Sequence, residues 1–190
     1  MSKMIKRIVS GCLVICMLAA LSSATTVFAR MVAYGSEKAG YLVSTKQIRK
    51  KTNTYDDSSL NKAYKSYMTY GAKVWKDCGI MTMKRDKSSV NKVLAYNLKD
   101  TSVTAHAITT PNYATGHIES FKIEFNTRRL DKLPASFNKI VAAHEIGHTL
   151  GLLELYEKRN KVQLMYGGVG PLADKPTAKD IKGAKYATRK

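Results

Sequence analysis

"HEIGHTLGLLE", His144 to Glu154, is the stretch that decides how the rest of the chain is read. On an α-helix, residues four apart project from the same face, so the rings of His144 and His148 can grip one divalent cation. Glu145 lies about 100° around the helix from His144. That places it beside such a cation and makes it a poor chelator alongside both rings. It can instead take a proton from a metal-bound water, whose pKa zinc lowers to about 7. Gly151 can end the helix in a left-handed conformation that costs other residues energy. The bland alternative is a helix whose two histidines satisfy each other at a surface. The helical context, Gly151 and an export signal argue for the metal.

The totals set bounds on this reading. The chain has 190 residues, 44% of them hydrophobic and 8% aromatic. That suits one domain with a real core and excludes wholesale disorder. Lys3, Lys6 and Arg7 precede an apolar run from Ile8 to Leu21, and Val27-Phe28-Ala29 resembles a small-residue cleavage site. Residues 1–29 therefore read as a secretory signal peptide, and 30–190 as the mature domain. The apolar run is short for a membrane span, so a secreted chain with no membrane segment after cleavage is expected.

Removing the leader takes away three basic residues and no acidic one. The net charge of +18 falls to about +15 on the mature chain. Cys12 and Cys16 leave with the leader, and Cys78 remains without an internal disulfide partner. An exported domain of this kind relies on its core, on bound metal, or on both. The basic residues are dispersed, for example at Lys84, Arg85, Lys87, Arg128, Arg129, Lys158, Arg159 and Lys161. They read either as a solvated surface that keeps the chain soluble or as retention on an anionic cell-envelope polymer. No aromatic-plus-basic motif accompanies them, so specific nucleic-acid binding is not expected.

Periodicity supplies the elements. Asp56-Asp57-Ser58 reads as a cap for a helix carrying Leu60, Tyr64, Tyr67, Gly71, Val74, Trp75 and Cys78 at helical spacing, ended by Gly79. Trp75 and Cys78 read as core. Strand-like runs are predicted over 41–48, 80–84, 93–98, 103–109 and 117–125. Helices are predicted over 136–150 and 177–186. The order indicates an α+β domain with one sheet.

The segment His144-Glu145-x-x-His148-x-x-Gly151, with "LMYGG" at 164–168, resembles the zinc motif and Met-turn of the metzincins, matrixin branch. "LNKAYKSYMTYGAKVWKDC", "TAHAITTP" and "PTAKDIKGAKY" are similar to further matrixin stretches. The resemblance implies a zincin-like catalytic domain. It would have one twisted mixed sheet, an active-site helix and a C-terminal helix. It implies His144 and His148 as zinc ligands, Glu145 as catalytic base, and Met165 as a hydrophobic floor beneath the metal. It also implies a secreted, monomeric zinc endopeptidase acting on protein or peptide substrates. The family supplies histidine or aspartate where this chain has Glu154. A carboxylate is an acceptable zinc ligand, so Glu154 is expected as the third ligand, with Glu157 as its rival. His106 and His117 lack the companions of the family's second zinc site. His106 is expected near an edge strand and His117 at the surface. The alternative function is an exported binding protein on the same scaffold, with proteolysis weak or lost, held to anionic surfaces by its charge.

Overall fold

The longest helices pack against each other. The computed structural model describes residues 32–189 apart from 49, 100–101 and 169–172. The expected leader lies outside the described residues. Helix α1 (Lys62–Asp77) begins at Asn61, whose side chain accepts the Tyr64 N–H at 3.1 Å. An N-cap asparagine satisfies one of the unpaired amides of the first turn. The predicted cap at 56–58 instead forms a turn, with Ser58 N–H on Asp56 Oδ1 and Leu60 N–H on the Asp57 carbonyl. Tyr64, Met68, Ala72 and Trp75 form the buried side of α1. Trp75 is fully buried, and its indole N–H donates to the Ala143 carbonyl of helix α3 (Ala135–Leu150) at 2.8 Å. Each such large apolar side chain contributes about 1.5–3 kcal/mol by leaving water. Cys78 caps the end of α1 and is only part-buried.

The expectation of one twisted mixed sheet does not hold. Among the described residues the strands form three separate ladders. β1 (Val32–Ser36) pairs with β2 (Tyr41–Ser44). β3 (Thr52–Tyr55) and β4 (Thr82–Arg85) are parallel neighbours on either side of α1 in sequence. β5 (Lys92–Tyr96) lies parallel, and β6 (Ala105–Pro111) antiparallel, to a central β7 (Ile118–Asn126). A single bridge, Asp56 to Lys92, joins the second ladder to the third. The chain turns away after Asp56, so the pairing cannot extend into one sheet.

β7 shows why its pattern was readable. Phe121, Ile123 and Phe125 alternate inward and are buried, as a strand with one packed face requires. Ile118 is buried out of that phase. The register shift between Thr110 and Pro111 absorbs the mismatch, as a bulge does. A short helix α2 (Thr127–Leu130) links β7 to α3, and helix α4 (Ala178–Ala187) closes the fold. Among the described residues no helix is long and apolar enough to cross a membrane.

Candidate functional site

Helix α3 ends where its sequence indicated. Gly151 adopts φ +101°, and a Cβ there would lie 2.5 Å from the Lys46 carbonyl oxygen. The left-handed residue turns the chain back beside β2. Ser44 N–H donates to the Gly151 carbonyl at 2.8 Å, and Leu153 N–H to the Leu42 carbonyl at 3.0 Å. On its other side Leu155 exchanges backbone hydrogen bonds with the Met165 carbonyl and the Gly167 N–H, both at 2.9 Å. The segment carrying Glu154 is thus pinned from both flanks.

That path brings His144, His148 and Glu154 together. Glu154 Oε1 stands 3.1 Å from His144 Nε2 and 3.2 Å from His148 Nε2. The two Nε2 atoms are 3.0 Å apart. Each ring is oriented from behind. His144 Nδ1 lies 2.7 Å from the Leu164 carbonyl, and His148 Nδ1 lies 2.8 Å from the Leu152 carbonyl. A carbonyl only accepts, so both Nδ1 atoms carry a proton, and both Nε2 atoms are aimed at one point, where they can act as ligands once free of a proton. The carboxylate oxygen aims there too. Backbone carbonyls that fix the ring tautomer are the usual support of imidazole metal ligands. Glu157 is turned outward and pairs with Arg159 at 2.5 Å; it is not in the cluster.

Electrostatics tie the group together. Burial opposes a charge on His144. The Glu154 carboxylate outweighs burial and raises the imidazole to about 9. Burial raises the carboxyl of Glu154, but its hydrogen bonds to the two histidines dominate and hold it well below the usual carboxylate range. Glu145 is 5% exposed, and burial pushes its carboxyl up against the opposing influence of His148 and His144. Its Oε2, like Oε2 of Glu154, is buried without a hydrogen-bond partner. Glu145, His144 and Glu154 line a cavity of about 710 Å³ that also touches Phe137, Val141 and Tyr166.

Met165 is buried, with its sulfur against Gly147, one residue before His148. The turn that carries it is held by a residue sequence reasoning missed. Asp180 accepts the Leu164 N–H at 3.0 Å and the Met165 N–H at 3.3 Å. It also completes a capping box with Thr177. The Thr-x-x-Asp spacing was the signal for the cap, but nothing local pointed to the turn. Glu37 was missed as well. It accepts the backbone N–H groups of Tyr156 and Glu157 at 2.7 and 3.3 Å, and the Asn160 side chain at 2.5 Å. His106 stands on the edge strand β6 and pairs with Glu124 at 2.7 Å. His117 is part-exposed in the turn before β7.

No family model matches the chain, and no curated protein does. Among solved structures it is similar to a chain in the GM1-bound form of the ECX AB5 holotoxin. The TM-score is 0.58 at 15% identity, over 82% of this chain and 91% of that one, so the two are of similar extent. At that identity the likeness carries the fold alone. The matrixin-like assignment and the zincin-like fold class are withdrawn: the match reported is to a toxin assembly, and no family model or curated relative supports a metalloprotease. The zinc endopeptidase activity, the peptide substrate and the role of Glu145 as catalytic base go with them. The physical reason is that His-Glu-x-x-His involves few positions, and a fold does not bring an activity with it. An anionic binding partner remains compatible with the match.

Proposed function

We propose that the mature chain is an exported binding protein, held by its basic charge on an anionic, carbohydrate-bearing surface. The observation that carries this reading is the excess of Lys and Arg over Asp and Glu, about +15 on the mature chain once the leader's three cations are taken from +18. Such an excess steers a protein toward acidic polymers. GM1 is itself an anionic glycolipid, so the description of the matched holotoxin makes acidic glycans the partner class to test first.

The same reading gives the His144–His148–Glu154 cluster a divalent cation, zinc first. Two imidazoles and a carboxylate are a zinc donor set. The cation would tie α3 to the segment after Gly151. In a domain with the single cysteine Cys78 among its described residues, such a tie stabilises as a disulfide would elsewhere.

The test uses the zinc-loaded chain, assayed for retention on an acidic polysaccharide and for cleavage of casein and gelatin with and without a chelator. Polysaccharide binding unaffected by Glu145→Ala, with no cleavage, supports the binder. Chelator-sensitive cleavage that Glu145→Ala abolishes overturns it in favour of a hydrolase.

A further inference from the structure

We propose that the face shared by β1, β2 and α4 is a docking surface for an acidic carbohydrate chain, an inference that rests on the binding reading above. Three tyrosines form a platform there. Tyr186 of α4 stacks against Tyr34 of β1 at 5.4 Å with rings 17° apart. It stacks on Tyr41 of β2 at 5.8 Å and 12°. Cations border the platform. The Arg189 guanidinium sits 4.1 Å from the centre of the Tyr186 ring, and Lys182 Nζ lies 5.6 Å from that of Tyr41. Lys182 and Tyr186 stand four apart on one face of α4, and Arg189 follows just past the helix end.

The charge on this face is not cancelled locally. Among the described residues, neither Lys182 nor Arg189 takes part in an ion pair. Asp180, the acidic residue of α4, is buried and bonded to the turn at 164–165. Glu37, in the turn between β1 and β2, is engaged by Tyr156, Glu157 and Asn160. The cations therefore remain available to a ligand that brings its own negative charge.

The shape selects the ligand. Tyr34 is 49% exposed, while Tyr41 is buried and Tyr186 is covered in part by its neighbours. One phenol is offered to a ligand, flanked by fixed positive charge. Single-stranded nucleic acid is held by stacking successive bases on separate aromatic faces, and here the rings stack on one another. A bilayer would call for protruding aliphatic side chains, and tyrosines and cations stand in their place. A pyranose C–H face against Tyr34, with carboxylates or sulfates along the same carbohydrate chain on Lys182 and Arg189, matches the aromatic and cationic groups of this surface.

The experiment measures binding of the zinc-loaded full chain to polygalacturonate, neutral dextran and a single-stranded DNA oligonucleotide at fixed salt. Tyr34→Ala and Lys182→Ala/Arg189→Ala are compared with Lys84→Ala/Lys87→Ala, which removes equal charge elsewhere. The expected result is a loss of about tenfold in polygalacturonate affinity for each patch variant, with the control within about twofold. Dextran should not bind, and melting temperatures should be unchanged. Equal losses for patch and control variants would overturn the docking surface and leave only diffuse charge. DNA bound more tightly than polygalacturonate, with the same variants weakening it, would overturn the carbohydrate assignment. Failure of the unaltered chain to bind any acidic polymer would sink the binding reading itself.

Discussion

The Nε2 atoms of His144 and His148 face each other at 3.0 Å, and a carboxylate oxygen of Glu154 completes the triangle. Two imidazoles and a carboxylate crowded at this spacing either share a proton or share a cation. A zinc ion with ligands at about 2.0–2.2 Å sets tetrahedral ligand atoms roughly 3.3 Å apart, close to the observed spacing. The chain should bind one zinc ion, and His148→Ala should lose it on dialysis. Zinc at a hundredfold excess over its Kd should add about 2.7 kcal/mol of stability. Metal analysis and thermal melts with and without a chelator measure both quantities.

Glu37 acts on that site from a distance. Its carboxylate gathers the amides of Tyr156 and Glu157 and the Asn160 side chain, so it fixes the loop leaving Glu154. Glu37→Ala leaves every ligand in place and should still weaken zinc binding by about tenfold, through the entropy of a freed loop. Calorimetric titration of zinc decides it; an unchanged Kd would show that the backbone bonds of Leu153 and Leu155 hold Glu154 without help from Glu37.

These two residues show where a sequence can be read and where it cannot. β7, α3 and α4 announce themselves because alternation and helical spacing are local signals. β3, "TNTY", carries no apolar alternation and becomes a strand only because β4 returns beside it after α1. The division into three ladders depends on where the chain turns after Asp56, and no window of sequence contains that. His144, Glu145 and His148 stand out as a motif. Whether Glu154 or Glu157 faces them depends on the hydrogen bonds to Leu42, Met165 and Gly167, which come from other parts of the chain. Function is less legible still, since one short motif is compatible with a binder or a hydrolase.

Gly167 is the space that lets a glutamate serve at position 154. A Cβ on residue 167 would lie 2.9 Å from the Glu154 carboxyl carbon and closer still to Oε2. Gly167→Ala should therefore displace the carboxylate and weaken zinc binding at least about tenfold, one misplaced ligand being enough. Aspartate is one methylene shorter. Glu154→Asp added to Gly167→Ala should recover part of the affinity, and a double variant no better than the single would contradict the steric account.

Asp56 predicts an acid limit. Hydrogen bonds from Ser58, aided by Lys92 at 3.0 Å, lower its carboxyl from 3.8 to about 2. A folded pKa below the unfolded one contributes stability above the unfolded value and loses it as pH falls through the folded value. The melting temperature of Asp56→Asn should lie below that of the unaltered chain at pH 7, and the gap should close between pH 3.8 and about 2. A gap constant across that range would show that the ionised carboxylate contributes nothing.

Asp180 couples the last helix to the cluster. It accepts the Leu164, Met165 and Thr177 amides, and the carbonyl of Leu164 orients His144 at 2.7 Å. Removing the carboxylate leaves buried amides unpaired, at about 1–3 kcal/mol each. Asp180→Ala should lower the melting temperature and zinc affinity together, because the turn that orients the His144 ring loosens. Thr177→Ala removes the cap hydroxyl with its bonds to Asp180 and Gln163, at about 1 kcal/mol for the cap, but keeps the Asp180 carboxylate on the turn amides and should leave zinc affinity near its original value. If both variants lose stability and neither loses zinc, the His144 ring is held by its own helix and the turn does not orient it.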